Sequence, residues 1–339
     1  MGLEPSPTDV LTDEDVRRIV RSYDEAISIE EYRPLTSGNM NLLFEVITDR
    51  GTLVLKLVRE GYTLGKDLSV YSMLEERGVP VPRVLLVDRS KHIVSFEYYL
   101  MEKLPGSMLR FTPLSGSQRE GLYRVLGSTL ARIHSIRLPA FGWLLEEGVS
   151  RRKDRFVDPL SSWKDTFIEW YETITHDLGT YENATYGSLD KDSFLELTAR
   201  IGRVLEREAY LLEDAEPVLL HNDYTLRNVL VMDDPWRVTG VLDVEFARSG
   251  HNELELAGLD HFLCDSDDIL AYSEHAHAFL EGYAAQNRLS ERFEDRRPLY
   301  LLISLFSLAV YETFKERIND EGEVAFLYRS IIRILEHYE

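Results

Sequence analysis

Two kinds of hydrophobic pattern divide the sequence near residue 105, and this division limits the folds open to the chain more than any other feature. Between residues 32 and 104, short extended runs of apolar residues are separated by turn residues. After residue 106, apolar residues recur with the spacing of amphipathic helices. At 339 residues the chain also exceeds one ordinary hydrophobic core. We therefore predict an α+β protein with two lobes: residues 1–104, a small antiparallel sheet preceded by a helix, and residues 105–339, larger and mainly helical.

The clearest strand signal in the first lobe is a hairpin. The runs LLFEVI (42–47) and TLVLKLV (52–58) are joined by the turn sequence TDRG, which is typical of hairpins. A helix that ends at Gly78 is predicted to follow. Lys56 lies inside the second apolar run, where an unpaired charge would cost several kcal/mol. An anionic partner such as a phosphate is the natural explanation for a lysine at this position.

The second lobe contains a series of amphipathic segments and one short β pair. Residues 218–231 and 237–246 are predicted to form the β pair. The longest apolar run, 299–311, is too short to cross a bilayer and predicts a buried helix. The amphipathic segments predict helices at 121–136, 163–178, 192–212, 271–285 and 298–316.

Composition excludes several classes of protein. The net charge of −21 argues against nucleic acid as a partner, because the phosphates would be repelled. The single cysteine, Cys264, leaves no internal disulfide to form. The first residues have neither a basic end nor an apolar run, so we expect no signal peptide, no membrane partner and a cytoplasmic location. The oligomeric state is not addressed by any of these features.

A dense polar segment interrupts the apolar runs of the predicted β pair. The sequence HNDYTLRN places His221, Asp223 and Asn228 on one loop, and VLDVE adds Asp243 fifteen residues after Asn228. Phosphoryl transfer needs oxygen ligands for the metal that holds the nucleotide and a carboxylate near the attacking hydroxyl. Asp223 is the candidate for orienting the hydroxyl and accepting its proton. Asn228 and Asp243 are candidate ligands for Mg²⁺, which prefers oxygen.

This order of residues resembles the protein-kinase signature, and more closely the aminoglycoside phosphotransferase and choline kinase-like family of small-molecule kinases. The catalytic loop of that family is usually written HGDxxxxN, which HNDYTLRN matches apart from Asn222 in place of glycine. Glu255 likewise stands where the family usually has an aspartate. The resemblance covers roughly residues 32–260 and is carried also by SGNMNLLFEV (37–46), GVPVPRVL (78–85), LARIHSI (130–136) and GVLDVEFARSGHNELELA (240–257).

The resemblance implies a protein-kinase-like fold with ATP or GTP bound in the cleft between the lobes. Lys56 would contact the α and β phosphates, with Asp67 as its partner where many relatives have glutamate. His221 would support the loop, and Glu245 would be a structural carboxylate or a support for the metal site. The remaining nucleotide contacts would be main-chain ones, to the phosphates from Ser37, Gly38 and Asn39 and to the adenine from the connector at Glu102 to Leu104.

The sequence therefore predicts an ATP- and Mg²⁺-dependent kinase acting on a hydroxyl of a small molecule, such as an aminoglycoside, a sugar or an amino alcohol. A protein kinase is one alternative, although neither D-F-G nor A-P-E occurs in the sequence. A nucleotide-binding regulator without turnover is the other. The acceptor stays open, and the acidic stretch 260–268 is a candidate for holding a cationic one.

Overall fold

The fold is described from a computed structural model. It forms two compact units, one drawn from residues 1–109 and 227–245 and the other from residues 110–226 and 246–339. The predicted α+β class, with an antiparallel sheet in one part of the chain and mainly helices in the other, is confirmed. The structure describes every residue outside 1–10, 36–41, 60–63, 109–114, 154–155, 179–190, 234, 264–268, 273 and 315–320.

The first unit contains a five-stranded antiparallel sheet in the order β1–β2–β3–β5–β4. The predicted hairpin is β2 and β3, with Thr48 opposite Gly51 at the turn. Helix α1 (Asp13–Tyr23) packs Val16 and Ile19 into the apolar core on the side of Leu55. The strands are β1 (Ile29–Pro34), β2 (Leu42–Thr48), β3 (Gly51–Val58), β4 (Val84–Asp88) and β5 (Glu97–Glu102), and α2 (Leu64–Glu76) follows β3.

A second hairpin also belongs to the first unit. It consists of β9 (Val229–Met232) and β10 (Arg237–Val241), which pair antiparallel. The segment after β5 lies against it, since Ser107 and Val231 exchange two main-chain hydrogen bonds of 3.0 and 3.1 Å. Gly106 has φ +110°, and a Cβ there would lie 2.8 Å from the carbonyl oxygen of Val231. Only glycine allows this close approach without strain.

The second unit combines helices with a four-stranded sheet in the order β7–β6–β11–β8. The strands are β6 (Gly142–Leu145), β7 (Gly148–Ser150), β8 (Val218–Leu220) and β11 (Arg248–Gly250). The predicted pairing of 218–231 with 237–246 is therefore only partly right. Strand β9 pairs with β10 as predicted, whereas β8 pairs with β11. The helices are α3 (Gly116–Ile133), α4 (Trp163–Leu178), α5 (Lys191–Glu208), α6 (Asn252–Leu263), α7 (Glu274–Ala284), α8 (Phe293–Phe314) and α9 (Glu321–Tyr338), with short 3₁₀ turns at Ala209–Leu212 and Val244–Phe246.

The core of the second unit forms around α8. Its residues Leu299 and Phe306 are fully buried and belong to one cluster with Phe167 of α4 and Phe194 of α5. The long apolar run at 299–311 thus serves the core, as its length predicts. Within the described ranges, no helix combines the length and the apolar character needed to cross a membrane.

Candidate active site

Lys56 lies on β3 directly opposite Tyr99 of β5, and its side chain is buried. Its Nζ is 2.9 Å from Oδ2 of Asp67, which α2 carries over this face of the sheet. The Tyr99 hydroxyl donates to the same oxygen at 3.1 Å. Burial, the largest single influence, acts to lower the pKa of Lys56, but Asp67 and its other acidic neighbours together outweigh it and hold the pKa above its usual value. Lys56 is therefore a permanently charged ammonium held in a fixed position.

Two further carboxylates of the first unit lie close to Lys56. Asp243 Oδ1 and Glu245 Oε2 are each 3.8 Å from its Nζ. Glu245 is buried, whereas the side chain of Asp243 is 41% exposed and accessible to a ligand. Burial and the charge of Asp243 raise the pKa of Glu245. Lys56 thus sits among three carboxylates, two of which follow β10 in the chain.

The backbone brings the two predicted metal ligands to the same end of the β9–β10 hairpin, where Val229 pairs with Val241. Asn228 immediately precedes β9, and its carbonyl oxygen accepts a hydrogen bond from the N–H of Leu242 at 2.8 Å. Asp243 follows Leu242 with φ +59°, a left-handed conformation that aspartate tolerates better than most residues. This turn takes Asp243 out of the strand direction and next to Lys56. The prediction of these two residues as metal ligands stays a prediction.

In the second unit, Asp223 lies on the loop that follows β8. Its main-chain N–H donates to Nδ1 of His221 at 3.3 Å, so the histidine supports the loop. Asn222 has φ +63°, which explains why asparagine can stand where the family usually has glycine, since both tolerate left-handed geometry. The Tyr224 hydroxyl anchors the other side of the loop by donating to the carbonyl of Leu126 on α3 at 3.1 Å. The side chain of Asp223 is half-buried.

A buried carboxylate holds this loop from the side of α6. Glu255 accepts the main-chain N–H of His221 at 3.0 Å and that of Asn222 at 2.8 Å. Its Oε2 also lies 2.9 Å from Nε2 of His134. Although burial works to raise it, the hydrogen bonds from His134 and the loop hold the pKa of Glu255 below its usual range. Glu255 is thus an ionised acceptor that fixes the backbone just before Asp223.

The proton positions around His134 follow from this contact. A carboxylate only accepts, so Nε2 of His134 must carry the proton that it donates to Glu255. The Tyr283 hydroxyl accepts from the side-chain amides of Asn252 and Asn287 at 2.9 and 3.0 Å, so it donates its own proton to Nδ1 of His134 at 2.9 Å. Each of these polar atoms is satisfied. Sequence reasoning gave His134 no role, although its segment LARIHSI was part of the family resemblance.

Other predicted nucleotide contacts are placed only in part. Ser37, Gly38 and Asn39 lie outside the described residues. At the connector, the N–H of Glu102 donates to the carbonyl of Arg83 at 3.1 Å, while Leu104 lies against Gly240 of β10. The side chains of the acidic stretch 260–268 also lie outside the described residues.

Comparison with known proteins adds a family and a fold. A family model described as phosphotransferase enzyme family matches residues 31–290. Acyl-CoA dehydrogenase family member 11 of Pongo abelii is 24% identical over 251 residues, which cover 70% of this chain. The match spans only 28% of that relative's length.

Solved structures of aminoglycoside phosphotransferases resemble the whole chain. ADP-bound APH(2'')-Ib has a TM-score of 0.63 at 20% identity and covers 97% of this chain and 99% of its own. A thermostable mutant of APH(4)-Ia, in a ternary complex with AMP-PNP and hygromycin B, has a TM-score of 0.69 at 16% identity and covers 95% and 98%. At these identities the likeness establishes the fold, which is the kinase-like fold of the aminoglycoside phosphotransferases.

Proposed function

The chain belongs to the phosphotransferase enzyme family, and on that premise we propose that it is an ATP- and Mg²⁺-dependent kinase that phosphorylates a hydroxyl group of a small molecule. The observation that carries the proposal is the environment of Lys56. A buried ammonium fixed by Asp67 and flanked by Asp243 and Glu245 is suited to positioning nucleotide phosphates. Similar structures were crystallised with ADP or AMP-PNP, which supports nucleotide binding here.

The charges of the first unit fit a divalent cation. Asp67, Asp243 and Glu245 place three carboxyl groups close to the ammonium groups of Lys56 and Lys66. Burial and the charge of Asp243 raise the pKa of Glu245, and a bound cation would relieve the repulsion between these two carboxyl groups. Hard cations such as Mg²⁺ bind carboxylate and amide oxygens. The exposed side chain of Asp243 is the one of the three that such an ion could reach from solvent.

Asp243 and Asn228 are the residues that would hold the ion. Among the described residues, no three His, Cys, Asp or Glu side chains form a ready-made metal cluster. Two protein ligands are sufficient for Mg²⁺, because it usually takes its other ligands from water and substrate phosphates. When bound, Mg²⁺ would neutralise charge on the phosphates.

The proposed reaction assigns separate tasks to the residues of the two units. Lys56, fixed by Asp67, contacts the α and β phosphates of ATP. Asp223 orients the acceptor hydroxyl and accepts its proton while the hydroxyl oxygen bonds to the γ-phosphorus. The bond from that phosphorus to the β–γ bridging oxygen breaks, and the products are a phosphate ester and ADP. Most of the acceleration comes from positioning and charge neutralisation.

The proposal is tested by a screen of hydroxylated metabolites and antibiotics, scored by ADP release with and without Mg²⁺. Asp243→Asn serves as the control variant, and calorimetry is expected to show that it has lost Mg²⁺-dependent ATP binding with its fold intact. An Asp243→Asn protein that binds Mg·ATP as tightly as the parent contradicts the metal assignment. A parent protein that binds ATP but transfers phosphate to no acceptor, nor to water, is a nucleotide-binding regulator instead.

A further inference from the structure

The second unit contains a cavity of about 350 Å³ whose walls combine aromatic rings with positive charge. It lies between the β6–β7 hairpin, β11 and α4. Trp143, Trp163 and Trp170 line it, and these are three of the four tryptophans in the sequence. At roughly 30 Å³ per water molecule, this volume holds about a dozen non-hydrogen atoms. The cavity therefore suits a small organic molecule with a flat apolar part.

The charge in this cavity is opposite to the charge of the chain. The protein carries a net charge of −21, yet four described lining residues, Arg151, Arg152, Lys153 and Arg248, are cationic and only Glu169 is anionic. The one described anion, Glu169, is paired with Arg151 at 2.6 Å. A concentration of positive charge in an acidic protein favours an anionic ligand at this point.

Arg248 is the central feature of the cavity. Its guanidinium lies over two rings, 4.5 Å from the centroid of Trp170 and 5.6 Å from that of Trp143. The residue is 7% exposed, and its Nε has no hydrogen-bond partner. Within the described part of the chain, it forms no ion pair. Burial lowers the pKa of Arg248 to about 10, so it remains charged at neutral pH.

A buried guanidinium without an anionic partner is energetically unfavourable, and its geometry indicates which kind of anion would pair with it. Removing a charge from water costs several kcal/mol unless it is paired. The planar fork of arginine matches a carboxylate or a phosphate with two parallel hydrogen bonds. The Nε of Arg248 has no hydrogen-bond partner, so the edge of the guanidinium has a donor to offer to an anion. The rings of Trp143 and Trp170 offer surfaces for a flat group attached to the anion.

The cavity is also within reach of the proposed catalytic aspartate. Arg248 of β11 is the ladder partner of Leu220 on β8, and Asp223 follows Leu220 by three residues. Three extended residues span at most about 10 Å, and neighbouring strands lie about 5 Å apart. The two Cα atoms are thus separated by no more than about 15 Å. A small molecule can bridge such a distance once the side chains extend towards it.

We propose that this cavity is the acceptor pocket, and that it takes a hydroxylated molecule carrying a carboxylate or phosphate group next to an aromatic or other flat apolar part. The inference rests on the proposed kinase function. Arg248 binds the anionic group, the tryptophans pack on the flat part, and the hydroxyl extends towards Asp223. Such an acceptor carries negative charge. A polyamine-like acceptor carries positive charge and would be repelled by the cations of the cavity.

The experiment compares probes that share a benzene ring and differ in charge. Phenylacetate and phenyl phosphate are anionic, 2-phenylethanol is neutral and 2-phenylethylammonium is cationic. Their binding to the full chain without nucleotide is followed by quenching of tryptophan fluorescence, which the three cavity tryptophans dominate. We expect the anions to bind at least tenfold more tightly than the cation, since charge-assisted hydrogen bonds are the strongest of their kind. Equal or tighter binding of the cation overturns the inference.

Variants assign the charge preference to one residue. Arg248→Met is expected to weaken binding of both anions by about tenfold or more while 2-phenylethanol binding stays the same. The matched control is Arg203→Met, because Arg203 belongs to the same unit but is exposed and pairs with Glu196; it should behave as the parent. An Arg248→Met protein that keeps the full anion preference contradicts the inference.

Arg248→Lys covers the case in which the methionine variant does not fold. It keeps the charge but loses the fork, so anion binding should weaken while neutral binding stays constant; unchanged anion binding overturns the inference. The two proposals fail in different ways. Anion binding without any transfer from ATP removes only the kinase function, whereas transfer to a cationic acceptor without anion binding removes only the acceptor inference.

Discussion

Replacing Glu255 by glutamine should lower the stability of the second unit and loosen the loop that carries Asp223. The carboxylate accepts two main-chain N–H groups and the proton of His134, all at 2.8–3.0 Å. The amide oxygen of glutamine can keep some of these hydrogen bonds. The amide NH₂ group, however, is itself a donor and cannot accept from the N–H group that it would face. One buried N–H is left without an acceptor, at about 1–3 kcal/mol. The remaining bonds lose the strength given by the charge, about 1 kcal/mol more.

The expected result for Glu255→Gln is therefore a loss of about 2–4 kcal/mol in the free energy of unfolding, measured by urea denaturation. Turnover should fall as well, because a displacement of about 1 Å in a catalytic group can reduce the rate about 100-fold. ATP affinity should be unaffected, since the residues assigned to the nucleotide belong to the first unit.

The control for this prediction is Glu253→Gln. Glu253 lies on the same helix and is also buried, but it pairs with Arg296 at 3.1 Å and makes no described contact with the loop. It should lower the unfolding free energy without slowing turnover of the protein that remains folded. If Glu255→Gln behaves in the same way as Glu253→Gln, the idea that Glu255 positions the loop is wrong.

Two further predictions follow from other buried charges. Lys56→Met should lower the free energy of unfolding by about 3–5 kcal/mol, because it leaves Asp67 as a buried charge without its partner. Adding Asp67→Asn should restore most of this stability, measured by denaturation, but it should not restore the ATP affinity. A double variant that binds ATP as tightly as the parent would refute the contact between Lys56 and the phosphates. Burial, with a smaller contribution from the charge of Arg296, lowers the pKa of His251 to about 3. In the unfolded chain this histidine takes up a proton below its ordinary pKa of about 6.5, whereas in the folded protein it does not. The free energy of unfolding should therefore fall by about 2 kcal/mol between about pH 7.5 and pH 5. His251→Gln should flatten this pH dependence, and an unchanged slope would show that other groups cause it.

Local patterns predicted the first sheet well because its strands are long. LLFEVI and TLVLKLV, with TDRG between them, became β2, its turn and β3. The strands β6, β7 and β11 have only three or four residues each, which is too short for a two-residue alternation to be recognised. Helix α8 begins at Phe293 rather than at 298, so that Pro298 lies inside the helix. The helix α9 was not predicted.

A contact of the site could be predicted where the sequence placed a charged residue in an apolar strand, because such a residue needs a partner of opposite charge. Lys56 in an apolar strand required an anion, and Asp67, proposed through the family resemblance, lies 2.9 Å away. The contact of Glu255 with the loop joins residues more than 30 positions apart, so no local pattern contains it. The same is true of Arg248, whose contacts with Trp143 and Trp170 depend on how β6, β11 and α4 pack. Such contacts exist only once the tertiary structure has formed.

The central claim, that HNDYTLRN is a phosphoryl-transfer loop, is tested most directly by the turnover of Asp223→Asn. This change keeps the shape of the side chain and removes the charge that orients the hydroxyl and accepts its proton. With an acceptor from the screen, or with water as a slow acceptor, the rate of ADP formation should fall by about 10²–10⁴ while calorimetry shows unchanged binding of Mg·ATP. A variant that binds Mg·ATP normally and turns over at the parent rate would contradict the account.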